Sequence, residues 1–390
     1  MKVIFPFLSL YFFVSILTAQ TLVTAGIQFE EGSWKKALTK AKEENKLIFL
    51  DAYTDWCRPC KRMDREVFAN RKVGRFYNEN FVNYKMNMEA GSGIPVGIEY
   101  NIKSYPAFLF IDGDGKMHHR IVSYQSVPQF MEVGEIALDE ERNLAGMEAR
   151  YAKGERSAEF LYNYAIMRFQ AGDNSHLPIA EEYLDTQTDV TTEKNLDFVF
   201  NYLDNTDSKI FDLLIKHRPA FVQKFGTPAV VGKIQNLIYD KLNDTVNRSS
   251  LEQIDALFKR AYPDKANEMS TRFRLTYYSQ AEDSEKYIEN AKLFMKNYEP
   301  RDVDELNEMA WNFYELATER KDLKLAAKWA KSAVAMDNSL FTNDTLAALY
   351  HRLGKKGKAI KTAEAAIQIA RKNGQDYSET QRLLDEIRKS

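Results

Sequence analysis

Asp51-Ala52-Tyr53-Thr54-Asp55-Trp56-Cys57-Arg58-Pro59-Cys60-Lys61 contains both cysteines of a 390-residue chain. Just before them, Leu47-Ile48-Phe49-Leu50-Asp51-Ala52-Tyr53 is a nearly continuous apolar run, as expected of a strand buried on both faces. A helix is expected to start at the cysteines and continue through Phe68. Cys57 therefore stands where a buried strand hands the chain to a helix N-terminus. Unpaired N–H groups and the positive end of the helix dipole favour a thiolate there. Cys60 lies one turn further on, close enough to attack a mixed disulfide on Cys57. Pro59 is tolerated in a first turn, where its missing N–H would be unpaired anyway. Arg58 adds a positive charge beside the thiolate. Other readings of the pair are weaker. Two cysteines are too few for a disulfide-stapled scaffold, and a static bridge across so short a loop stabilises little. Half a zinc site needs a second half, and His118, His119, His176, His217 and His351 are not spaced to supply one.

Outward from this stretch, strands and helices alternate. Gly26–Phe29 reads as a short strand, Ser33–Asn45 as a helix, Phe81–Met86 as a strand and Ile94–Tyr100 as a short helix. Pro106–Ile111 and Met117–Tyr124 flank Asp112-Gly113-Asp114-Gly115, a hairpin signal that leaves His118 and His119 in solvent. A mixed sheet flanked by helices is expected over 26–142, an α/β domain. From Val127 the strand signals fade into helical periodicity. Ala326, Ala330 and Ala333 recur 33 residues on as Ala359, Ala363 and Ala366. Each trio follows a helix of large side chains, Trp311, Phe313 and Tyr314 in one and Leu346, Leu349 and Tyr350 in the other. An all-α remainder is expected, irregular over 150–300 and repetitive over 305–390.

Trp56-Cys57-x-Pro59-Cys60 after a buried strand resembles the thioredoxin active site, and the region around it resembles the C-terminal domain of transmembrane thiol reductases. The resemblance implies a thioredoxin-like fold and several roles. Asp51, six residues before Cys57, would assist proton transfer to Cys60, with Lys85 as its partner. Pro106 would be the cis-proline facing the disulfide, and the Tyr105 backbone would bind an extended substrate segment beside Trp56. Arg58 replaces the family's usual glycine, and with Pro59 it would tune the redox potential. The alanine trios resemble tetratricopeptide repeats, whose period is about 34 residues.

At the N-terminus, Lys2 precedes an apolar run from Val3 to Leu17 that ends in Thr18-Ala19-Gln20. That pattern is a secretory signal peptide over 1–20, shorter than the ~20 apolar residues of a spanning helix. Export to the periplasm as a soluble protein is expected. A formal net charge of −2, with its lysines and arginines dispersed, offers no nucleic-acid footprint. The expected function is reduction of protein disulfides, with no cofactor beyond the Cys57–Cys60 disulfide and with a membrane-borne electron donor. The helical repeats would hold a protein partner. The alternative is an assembly protein whose repeats are the functional surface and whose thioredoxin fold docks or serves as a disulfide oxidase.

Overall fold

Leu47–Tyr53 is the central strand, β1, and its alternating side chains feed two separate cores. The computed structural model describes residues 26–172, 175–243, 249–298 and 302–390. The leader assigned to 1–20 lies outside them. Before β1 comes α1 (Trp34–Glu44), opened by the Ser33 side chain accepting from the Lys36 N–H and closed by Asn45 in the left-handed region. After it come α2 (Arg58–Met63), α3 (Arg71–Asn80), β2 (Phe81–Asn87), α4 (Gly93–Glu99), β3 (Ala107–Ile111), β4 (Met117–Val122) and α5 (Val127–Leu138). Between α2 and α3 the helix widens into a π turn over Asp64–Phe68.

The strand order is β2-β1-β3-β4, with β2 parallel to β1 and the other pairings antiparallel. Ile48, Leu50 and Ala52 face Ala37 and Ala41 of α1. Phe49 faces the opposite way, into an aromatic core with Phe68, Tyr77, Phe108, Phe110 and Phe130. Tyr77 stacks on Phe130 with ring centroids 4.4 Å apart. Burying each such side chain contributes about 1.5–3 kcal/mol. Gly74 of α3 is required by a close crossing: a Cβ there would lie 2.3 Å from the carbonyl carbon of Gly26.

Two local expectations are corrected. Gly26–Phe29 forms no strand; this segment is tied down at single points, Ile27 N–H to the Phe68 carbonyl and Glu30 N–H to that of Asn83. His119 is not solvated. It is 3% exposed beside Phe110, and burial pushes its pKa down to about 4. His118 pairs with Asp112 at 2.9 Å.

Among the described residues, α5 is followed by α6 (Leu144–Ala152), α7 (Ala158–Gln170), α8 (His176–Asp185), α9 (Glu193–Tyr202), α10 (Lys209–Lys216) and α11 (Arg218–Phe225). The first compact unit runs to Lys224, with no break between 142 and 150, because α6 and α7 pack directly on β4. The second unit, Phe225–Ser390, is helical. Its helices are α12 (Thr227–Asn243), α13 (Leu251–Ala261), α14 (Ala266–Gln280), α15 (Ser284–Tyr298), α16 (Val303–Leu316), α17 (Arg320–Met336), α18 (Leu340–Arg352), α19 (Lys356–Asn373) and α20 (Ser378–Lys389).

One core of this unit joins Leu275, Phe294, Phe313 and Leu353. Both alanine trios are fully buried, and their helices pack closely on the preceding ones, α17 on α16 and α19 on α18. Phe313 meets Trp329 edge-on at 4.8 Å.

Candidate active site

Cys57 and Cys60 are joined as a disulfide, 1% and 3% exposed. Cys57 is the residue that opens α2, and its Sγ accepts from the Cys60 N–H at 3.1 Å. The sulfur therefore occupies the place of an N-capping side chain, where a developing thiolate meets backbone N–H groups. Arg58 and Pro59 are exposed beside it, and Arg58 makes no ion pair among the described residues.

The strand alternation explains Asp51. It shares the face of β1 that carries Phe49, opposite Phe108 of β3, so its carboxylate is surrounded by aromatic core. At 1% exposure, burial raises its pKa to about 6. Lys85 lies directly across from it in β2, with Nζ 3.1 Å from Asp51 Oδ2. Burial pulls the Lys85 pKa down, but the Asp51 and Asp64 carboxylates outweigh it and hold the ammonium above its usual value. Asp64, on the π turn, is the third member, also ion-paired to Lys85. Sequence reasoning missed it, although it stands four residues after Cys60 and so one turn along the same helix.

The Tyr105–Pro106 peptide is cis. Tyr105 meets Trp56 edge-on at 6.0 Å, which brings this loop against the cysteine loop. Trp56 is 65% exposed, yet its indole N–H reaches both Glu89 carboxylate oxygens at 3.0 Å. Glu89 was the second omission. It follows β2 in a turn whose sequence resembles any solvated loop.

The family of thioredoxin-like domains matches residues 34–137. Residues 34–137 form a thioredoxin-like domain. Thioredoxin-T of Drosophila melanogaster is 37% identical over 70 residues, 18% of this chain and 41% of that protein. The thiol:disulfide interchange protein DsbD of Escherichia coli K12 is 32% identical over 85 residues, 21% of this chain and 14% of DsbD. The chain thus spans less than half the length of these curated relatives. A solution structure described as a candidate disulphide-isomerase from Bacteroides thetaiotaomicron is 37% identical, covering 30% of this chain and 98% of its own, with a TM-score of 0.29. The thioredoxin-like domain holds a thiol–disulfide oxidoreductase site: a two-residue-spaced cysteine pair, bridged, at the mouth of the sheet. Among the described residues there is no cluster of potential metal ligands and no helix long and apolar enough to cross a membrane.

Proposed function

We propose that the chain is an exported thiol–disulfide oxidoreductase that reduces protein disulfides through Cys57 and Cys60. The observation that carries this reading is the bridged pair at the start of α2, set beside the buried Asp51–Lys85 pair and the Tyr105–Pro106 loop. In the reduced state the Cys57 thiolate attacks a substrate sulfur. A Cys57–substrate bond forms, and the other substrate sulfur leaves as a thiolate that takes up a proton. The Cys60 thiol then loses its proton and attacks Cys57 Sγ, closing the Cys57–Cys60 bond and releasing the second substrate thiolate. The substrate gains the two electrons that the cysteine pair loses; the Cys60 proton serves one substrate thiolate, and solvent protonates the other. Asp51, whose pKa of about 6 lies near the working range, exchanges the Cys60 proton, and Lys85 holds that carboxyl in place. A membrane-borne dithiol carrier restores the reduced pair, and the stacked helix pairs α16–α17 and α18–α19 give the second unit a partner-holding surface.

The deciding test is dithiol-driven insulin reduction by the full chain, with Cys57→Ser alongside. Turnover that disappears in the variant is expected, as are stable mixed disulfides in Cys60→Ser. A folded wild-type protein with no turnover sinks the enzyme reading in favour of the assembly alternative.

Arg58→Gly removes a charge that favours the thiolate and hence the reduced pair. The reduction potential is expected to become more reducing by some tens of millivolts, where about 30 mV corresponds to about 1.4 kcal/mol. Equilibration with glutathione measures it, and an unchanged or more oxidising value means that Arg58 exerts no field on Cys57.

A further inference from the structure

Tyr105 has an unpaired backbone: neither its N–H nor its C=O forms a backbone hydrogen bond among the described residues. The neighbouring Pro106 carbonyl, by contrast, is occupied, accepting from the Ser123 N–H at 2.9 Å just beyond β4. A free main-chain edge of this kind accepts an extended segment by strand addition. Such a segment advances about 3.3 Å per residue, so one step from Tyr105 carries it over Ser104, which is exposed.

Ser104 has a neighbour that the matched residues 34–137 do not include. The chain leaves α7 through Ala171, which is buried, and Gly172 in the left-handed region at φ 68°. A Cβ on Gly172 would stand 3.2 Å from both Val122 methyls and 3.7 Å from Ser104 Oγ. Glycine is needed here twice over, for its backbone conformation and for the approach to Val122. Because α6 and α7 pack along β4, this turn is braced from behind.

We propose that the end of α7, at Ala171–Gly172, walls one side of the substrate groove at Tyr105 and makes the protein selective for disulfides whose flanking residues on that side are small. The inference rests on the proposed disulfide exchange and names a specificity element for it. Large side chains entering past Ser104 meet the turn, whereas those leaving past Pro106 on the other flank do not.

The test uses the reduced full chain and linear peptides in which one cysteine is bridged to a small thiol. A tryptophan is placed one or two residues before or after that cysteine. Hydroxyethyl disulfide, which has no flanks, reports the exchange chemistry itself. Tryptophan on one flank is expected to lower kcat/KM roughly tenfold relative to the same residue on the other, the scale of steric discrimination in a shaped pocket. In Gly172→Asn, which tolerates the left-handed conformation but presses on Val122, the ratio between flanks is expected to change severalfold. Equal rates for both flanks, with hydroxyethyl disulfide reduced, overturn this inference alone. A ratio unchanged in a Gly172→Asn protein that is folded by circular dichroism removes α7 as the wall. No reduction of any substrate overturns the exchange reading and this inference together.

Discussion

Replacing Asp51 by asparagine is expected to stabilise the protein by about 2–3 kcal/mol at pH 8 while slowing disulfide exchange. The carboxyl has its pKa raised to about 6 from 3.8, and each tenfold change in proton affinity corresponds to about 1.4 kcal/mol. The sign follows from which state binds the proton first. Between pH 6 and 3.8 the folded state is protonated and the unfolded state is not, so stability rises as pH falls through that window. Above pH 6 the full cost of a buried carboxylate is present. Lys85 offsets part of that cost, and it keeps Asp64 as a partner in the variant.

His119 works in the opposite direction. Its folded pKa is depressed to about 4 from 6.5, so the unfolded state is protonated first and stability is lost as pH falls from 6.5 toward 4. In the wild-type protein the two slopes largely cancel between pH 6 and 4. In Asp51→Asn the histidine slope is no longer offset by Asp51, and urea midpoints should fall more steeply on acidification. A variant no more stable than wild type at pH 8, or one with an unchanged acid slope, would show that the Lys85 ion pair outweighs the burial cost.

The second large effect concerns where the first unit ends. A fragment of residues 26–224 is expected to unfold in one cooperative step and to retain exchange with small disulfides. A fragment of 26–142 deletes α6 and α7 and uncovers β4, the last strand of the sheet. Bare sheet edges template pairing with other chains, and the packing of Val122 against the α7 turn is lost as well. The shorter fragment is expected to have a lower urea midpoint and to self-associate in size-exclusion chromatography as concentration rises. A monomeric short fragment with the midpoint of the longer one would mean that the helices only decorate the domain.

What the sequence revealed follows physical lines. Leu47–Tyr53 was readable because a strand buried on both faces leaves an apolar run with no competing period. The cysteine pair was readable from its spacing, Asp51 and Lys85 only through the resemblance to the thioredoxin active site, and Lys85 falls opposite Asp51 once β2 lies parallel to β1. Asp64 and Glu89 were not, because an acidic residue on a helix or turn reads as a solvated charge until its partner is located. His119 was misplaced for the same reason: polarity near a hairpin says nothing about what packs over it. Amphipathic periodicity reports that a helix buries one face but not against which neighbour. For α6 and α7 that neighbour was the sheet.

The π turn at Asp64–Phe68 carries a consequence for insertions and deletions. An α-helix advances about 100° per residue, so the face that a side chain presents is fixed by counting from any other. Here one helical run must aim Asp64 at Lys85 and then place Val67 and Phe68 in the aromatic core. The wider turn takes up one residue between these tasks and lets each keep its own phase. Loss of a single exposed residue such as Arg65 would leave a regular helix of ordinary propensity. That helix could satisfy the charge network or the core, but not both, so one deleted codon at this place separates the requirements of chemistry from those of folding.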